Sequence, residues 1–235
     1  MTRKTILFEG IKFQNIEFKN LMAKIKKGGV LVAPAASALI DITRNKDYYK
    51  ALLKSDFAIL DSGLLCILLR FFRGEKAKKL SGYLFLKKFI SSQKNKKDII
   101  LSVDPSDIDE KINYEYFKNN KIFNVFHYVA PVYVKSRIKD IKLLNKIKKI
   151  RPKYILINIG GGVQEVLGIY LRDNLNYKPV IICTGAAIAF LTKRQAPINI
   201  YVDKFYMGWL MRIIYNPKIF LYRTLRSVKL IKFFI

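Results

Sequence analysis

The stretch Tyr154–Glu165, YILINIGGGVQE, decides how this chain reads. The run Tyr154–Ile159 is largely apolar and has the length of a strand. Gly160, Gly161 and Gly162 then bare the backbone, and Gln164 and Glu165 open a helical pattern. A strand that leads through bare backbone into a helix makes a pocket for an anion. The first N–H groups of a helix have no partners inside it and point outward. A second apolar run, Val180–Thr184, ends the same way at Gly185-Ala186-Ala187. Two such crevices side by side predict a nucleotide-type ligand whose diphosphate lies over Gly160–Gly162 and Gly185. The three glycines do not have the spacing of a dinucleotide fingerprint, and there is no phosphate-loop lysine motif.

Outward from these runs, short apolar segments alternate with helical patterns. Gly29–Val32, Phe57–Leu60, Asp98–Val103 and Ile122–Val129 read as strands. Helical stretches are expected from about Ser37, after Gly63, from the Asp104-Pro105-Ser106-Asp107 turn to about Asn119, and over Arg137–Ile150. This βα rhythm predicts an α/β, Rossmann-like, mostly parallel sheet flanked by helices, with a helical basic appendage at the C-terminus. The core is expected over residues 1–197 and the appendage over 198–235. In such sheets ligands sit beyond the carboxyl ends of the strands.

Asp61 follows the strand Phe57–Leu60 and precedes Ser62-Gly63. A carboxylate there can take the proton of an attacking hydroxyl, or it can cap a helix. Gln164 and Glu165 can bind sugar or base hydroxyls, or cap the helix they open. Arg194 can offset charge on a departing phosphate or stand as a solvated loop charge. His127, the single histidine, reads as structural, Asp104 as a turn residue and Asp41 as a helix-surface residue. One histidine and no acid cluster give no metal site, and no cofactor is expected.

The chain has 235 residues, 44 Lys+Arg against 17 Asp+Glu, a formal charge of +27 and 51% hydrophobic residues. That supports a folded core and a field that draws polyanions. Cys66 and Cys183 lie in apolar runs without metal or disulfide spacing, as buried thiols of a reducing compartment do. The N-terminus lacks the apolar core of a secretion signal, and the greasiest stretch, Phe57–Phe72, is cut by Asp61 and Arg70. A cytoplasmic protein is expected, peripheral on the inner face of the cell membrane.

The tail carries that last point. From Lys204 to Ile235 there is no acid, while Lys204, Arg212, Lys218, Arg223, Arg226, Lys229 and Lys232 alternate with Trp209, Tyr215, Phe220, Tyr222, Phe233 and Phe234. Pro217 is placed to begin a helix. Basic, aromatic and helical together describe a segment that lies in a membrane interface, meeting an anionic surface or a lipid-borne diphosphate. An ordinary helix with a solvated basic face is the plainer alternative. No helix-turn-helix, zinc-finger or RNP-type signature is present, so nucleic acid is not expected as the partner.

These pieces in this order resemble the WecG/TagA/CpsF family of glycosyltransferases, from about Val30 to Tyr222. Asp61-Ser62-Gly63 lies where the family has Asp-Gly, and Ser81-Gly82 is similar to its Arg-Val-x-Gly segment, with Lys78 and Lys79 near the arginine. Gly160–Glu165 is similar to Gly-x-Pro-Lys-Gln-Glu, Gly185-Ala186-Ala187 with Phe190 to Gly-Ala-x-Phe, and Gln195-Ala196-Pro197 to Arg-Ala-Pro. Trp209–Arg212, Asn216-Pro217 and Tyr222-Arg223 are similar to Glu-Trp-Leu-x-Arg, x-Pro and Arg-Tyr.

The resemblance implies an inverting, metal-independent transferase. It would pass a sugar, often of N-acetylmannosamine type, from a UDP-sugar donor to an undecaprenyl-diphosphate-linked sugar in cell-envelope, capsule or related polysaccharide synthesis. It places the general base on Asp61, nucleotide contacts on the Gly160 loop and Gln164, and membrane contact on the basic tail. A homo-oligomer is left open. The chain departs from the family pattern at Ala33, Ala35, Val163, Gln195 and Gly208, and Ser102-Val103-Asp104-Pro105 replaces a glycine-bearing loop. These departures motivate an alternative, a non-catalytic sugar-nucleotide-binding or scaffold protein of a polysaccharide assembly complex.

Overall fold

The computed structural model describes residues 3–134, 138–195 and 208–235. The boundary expected at 197/198 lies outside them. Eight strands form one sheet: β1 (Thr5–Phe8), β2 (Ile11–Gln14), β3 (Gly29–Val32), β4 (Phe57–Ile59), β5 (Ile100–Asp104), β6 (Val125–Val129), β7 (Tyr154–Ile157) and β8 (Val180–Cys183). Their spatial order is β1-β2-β4-β3-β8-β7-β5-β6. Only the β1–β2 pair is antiparallel. The fold is thus α/β and Rossmann-like, as the alternation of runs predicts.

The sheet gains one hairpin that the run-by-run reading does not contain. β1 and β2 turn on Glu9 and Gly10, both with positive φ (46° and 73°). Two such residues make the two-residue turn whose twist matches a hairpin. β2 then pairs in parallel with β4, so the hairpin extends one end of the sheet.

The central strands are buried throughout, and β7 (YILI) and β8 (VIIC) are apolar at every position. Strands covered on both faces read as continuous hydrophobic runs. On one face lie α2 (Ala36–Leu39), α3 (Lys46–Lys54), α4 (Gly63–Arg73), α7 (Ile141–Ile150) and α8 (Gln164–Asn174). On the other lie α1 (Phe18–Ile25), α5 (Gly82–Gln93), α6 (Asp107–Asn119) and α9 (Ala187–Leu191). Several helices start with a side chain that accepts from a first-turn N–H: Asn45 for α3, Ser62 for α4, Ser81 for α5, Ser106 for α6 and Asp140 for α7. α3 to α6 thereby begin at fixed points close to the carboxyl edge of the sheet.

α8 lies close on the sheet because Gly168 has no side chain. A Cβ there would stand 2.9 Å from Cys183 Sγ and 3.3 Å from Val30 Cγ1. In Gly168→Ala, helix propensity returns about 1 kcal/mol while overpacking costs about 1–3 kcal/mol. Thermal denaturation is expected to show a net loss of about 1 kcal/mol in the native background. The loss should shrink or reverse when Cys183→Ala is made in the same chain.

The tail does not hang free. α10 (Gly208–Tyr215) and α11 (Pro217–Ser227) lead into a 3-10 helix, Val228–Phe233. Leu230 is fully buried, and Phe233 and Phe234 lie against Phe8 at ring distances of 5.8 and 5.4 Å. Leu230 therefore belongs to the core on the α4 side, and Phe233 and Phe234 pack against it.

Candidate active site

Asp61 leaves the end of β4 at the carboxyl edge. Ser62, not Asp61, caps α4, its Oγ accepting from Leu65 N–H at 3.1 Å. Asp61 is half-buried, and its Oδ1 accepts from the N–H of Gly82, the first residue of α5, at 2.7 Å. Gly82 in turn fits between the ends of β3 and β8. A Cβ on it would lie 3.4 Å from the Cβ atoms of both Ala33 and Thr184. Asp61's anchor is thereby packed at van der Waals distance against the ends of the two central strands.

From Thr184 the path continues. Gly185 N–H donates to Gln164 Oε1 at 2.7 Å, and Gln164 Nε2 donates to Glu165 Oε1 at 3.0 Å. Glu165 Oε2 accepts from Gly162 N–H at 2.7 Å. The two glycine-tipped strand ends are thus stitched together by adjacent side chains of α8. Gln164 and Glu165 are 2% and 1% exposed, so the structure turns both inward. Gly185 is buried with its N–H spent on Gln164, whereas Gly160 and Gly161 are exposed with no atom within 4 Å of a Cβ position. The open backbone at this edge is therefore the Gly160–Gly161 tip, which reaches into solvent above the Gln164–Glu165 stitch.

Burial pushes the Glu165 carboxyl up to about 7, against hydrogen bonds from its own amide, Gly162 and Gln164 that pull it down. Tyr48, at the start of α3, is 1% exposed, and its hydroxyl has no hydrogen-bond partner among the described residues. Burial raises that phenol well above its ordinary pKa, and the carboxylates of Glu165, Asp41 and Asp61 add to the effect. Those three acids therefore all lie within electrostatic reach of one buried hydroxyl.

Arg194 stands after α9 and pairs with Asp109 of α6 at 3.6 Å, half its side chain exposed. It lies beside the start of α6, just beyond β5. Asp41 is drawn into an ion pair with Arg226 of α11. Arg226 is thus turned toward the core, while Lys218, Arg223, Lys229 and Lys232 are exposed. The side chain of Arg212 lies outside the described residues. Leu221, Tyr222 and Leu225 of α11 and Val228 just after it are also exposed, an outward apolar stripe flanked by bases.

A buried polar centre at β5–β7 has no counterpart in the local reading of the sequence. Asp104, which reads as a turn residue, is the last residue of β5 and fully buried. Its Oδ1 accepts from Ser102 Oγ (2.7 Å), Asn113 Nδ2 (2.7 Å) and Asn158 Nδ2 (3.0 Å), and its Oδ2 meets His127 Nδ1 at 2.7 Å. A period-2 pattern was the available signal: Ile100, Ser102 and Asp104 share one face of the strand. Among the described residues no group of three or more His, Cys, Asp or Glu side chains is placed to hold a metal ion.

A parallel sheet with a carboxylate and open glycine backbone at its carboxyl edge fits an enzyme that handles a phosphate-bearing small molecule. The model of the glycosyl transferase WecG/TagA/CpsF family matches residues 6–235, and the chain belongs to that family. It is accordingly a glycosyltransferase of polysaccharide biosynthesis, a class that uses a sugar-nucleotide donor and a lipid-linked acceptor. A search of the curated proteins finds no match to this chain. No helix among the described residues is long and apolar enough to cross a membrane.

Proposed function

We propose that this chain is an inverting, metal-independent transferase that moves a sugar, of N-acetylmannosamine type, from a UDP-sugar to an undecaprenyl-diphosphate-linked sugar at the inner face of the cell membrane. The observation that carries this reading is the unbroken path from Asp61 through Gly82, Thr184, Gly185, Gln164 and Glu165 to Gly162. It sets a carboxylate and an open glycine tip on one sheet edge.

In this reading the donor's diphosphate lies over Gly160 and Gly161, where backbone N–H groups and Arg194 offset the charge that builds as it leaves. Asp61 takes the proton of the acceptor hydroxyl. The freed oxygen attacks the anomeric carbon from the face opposite the nucleotide. The carbon–oxygen bond to the diphosphate breaks, and its electron pair leaves with UDP. Gln164 and Glu165 support this site from beneath, by holding Gly162 and Gly185 in place. Gln164 stays a candidate donor contact through the loop it holds.

The exposed stripe of α11 and Val228 supports the membrane side of the proposal. Leu221, Tyr222, Leu225 and Val228 can enter an interface while Lys218, Arg223, Lys229 and Lys232 meet lipid phosphates. The test is a thermal-shift screen of nucleotide sugars, followed by turnover with lipid-diphosphate-sugar acceptors. A UDP-sugar is expected to raise the melting temperature by mass action, and its sugar to appear on the lipid acceptor. Stabilisation without transfer would leave a binding or scaffold protein instead.

A further inference from the structure

The Asp104 centre has a polarity that points outward. Asp104 is a carboxylate, so the groups around it turn their donors toward it. Ser102 Oγ gives its proton to Asp104, so Asn158 Nδ2 can donate to Ser102 Oγ at 2.9 Å and to Asp104 Oδ1 at 3.0 Å. Flipping that amide would set its oxygen against the carboxylate, so its orientation is forced. His127 likewise meets Asp104 through Nδ1, which must carry the proton. Two polar atoms are left facing away from the hub: Asn158 Oδ1, an acceptor, and His127 Nε2, an acceptor in the neutral ring. Both are shielded from solvent, and neither has a hydrogen-bond partner among the described residues. A buried acceptor without a donor is a standing penalty, relieved when a ligand supplies one.

Their place in the sheet says which part of a ligand that would be. Asn158 follows β7 and stands two residues before Gly160. His127 is on β6, Asp104 at the carboxyl end of β5. Asp61, at the end of β4, lies on the other side of the β7–Gly160 tip, since the order is β4-β3-β8-β7-β5-β6. A sugar nucleotide laid along this edge with its sugar toward Asp61 and its diphosphate at Gly160–Gly161 extends its nucleoside toward β5 and β6. We propose that Asn158 and His127, held by Asp104, form the nucleoside subsite and select a ligand that offers N–H or O–H donors there: the imide of a pyrimidine base or the ribose hydroxyls. This rests on the donor reading above and deepens it.

The test compares binding of UDP and of inorganic pyrophosphate to the full chain by calorimetry. His127→Asn keeps a donor to Asp104 and deletes the ring's outward acceptor, and Asn158→Ala deletes the other. Each is expected to weaken UDP about 3- to 10-fold and to leave pyrophosphate unchanged. UDP methylated at N3 and 2′,3′-dideoxy-UDP separate the base from the ribose: the analogue lacking the donor that is read should lose the same factor and be insensitive to the variants. Equal losses for UDP and pyrophosphate would mean that the centre only shapes the glycine loop, and would overturn the subsite. No loss for UDP in two variants with native melting temperatures would overturn it as well. If one of the two fails to fold, the other carries the same comparison. A native chain that binds pyrophosphate but not UDP would sink the subsite alone. One that binds neither would sink the donor reading beneath it.

Discussion

Asp61→Asn is expected to lower transfer by about 10²–10⁴-fold, the contribution of a positioned general base, with nucleotide binding and melting temperature close to native. Asparagine keeps the oxygen that accepts from Gly82 N–H at 2.7 Å, so the start of α5 and its contact with Ala33 and Thr184 stay in place. What it loses is the negative charge that takes a proton. The measurement is turnover with the donor and lipid acceptor identified by screening, alongside the dissociation constant for the nucleotide. Asp61→Ala is the informative companion. It also removes the acceptor for Gly82, and a buried N–H left unpaired costs about 1–3 kcal/mol, so it should lose stability as well as rate. If the two variants were equally inactive and equally unstable, Asp61 would be an anchor for α5 and nothing more. Full transfer by the asparagine variant would remove the base assignment outright.

The strand and helix order is legible because it is written in local periodicity. β3 runs over the residues expected of it, and β4, β7 and β8 begin where their apolar runs begin. Their ends differ by one or two residues, since Leu60, Ile159 and Thr184 stay buried after the ladder pairing has stopped. Pro217 opens its helix as its fixed φ requires. The β1–β2 hairpin escapes because its turn is Glu9-Gly10, and glutamate rarely takes a positive φ.

The site is legible only in outline. Asp61 and the glycine tips announce themselves as strand-end chemistry, but how they are joined is not local information. Gln164 and Glu165 turn inward because parallel pairing of β7 with β8 brings Gly185 over the start of α8. Asp104 sits in Asp-Pro-Ser-Asp, which is turn chemistry by any short window. Its partners Asn113, His127 and Asn158 are 9, 23 and 54 positions away. Arg226 reads as one of several interfacial bases, and only the folded chain shows that it belongs to Asp41, 185 positions earlier.

Glu165 gives the largest expected effect on stability, and its sign is opposite to that of an ordinary ion-paired acid. Burial raises its carboxyl from an ordinary 4.5 to about 7, so between those values the folded chain holds a proton that the unfolded chain has released. Stability from this group is full below about pH 4.5, falls as the pH rises through about 7, and is flat beyond. A shift of that size amounts to about 3 kcal/mol, with no discount for solvent because the group is fully enclosed. Glu165→Gln does not titrate. Denaturant unfolding at a series of pH values is therefore expected to show the variant gaining on the native chain by about 3 kcal/mol across that window and by nothing on either side. The comparison cancels the other acids and the +27 background charge. At its acid end the variant should be the less stable of the two, because its amide has a second donor where the carboxyl accepted from Gly162 or Gln164. A difference independent of pH would mean that the Glu165 carboxyl reaches water. The stitch between the Gly160–Gly162 loop and Gly185 would then be open, and with it the support under the diphosphate site.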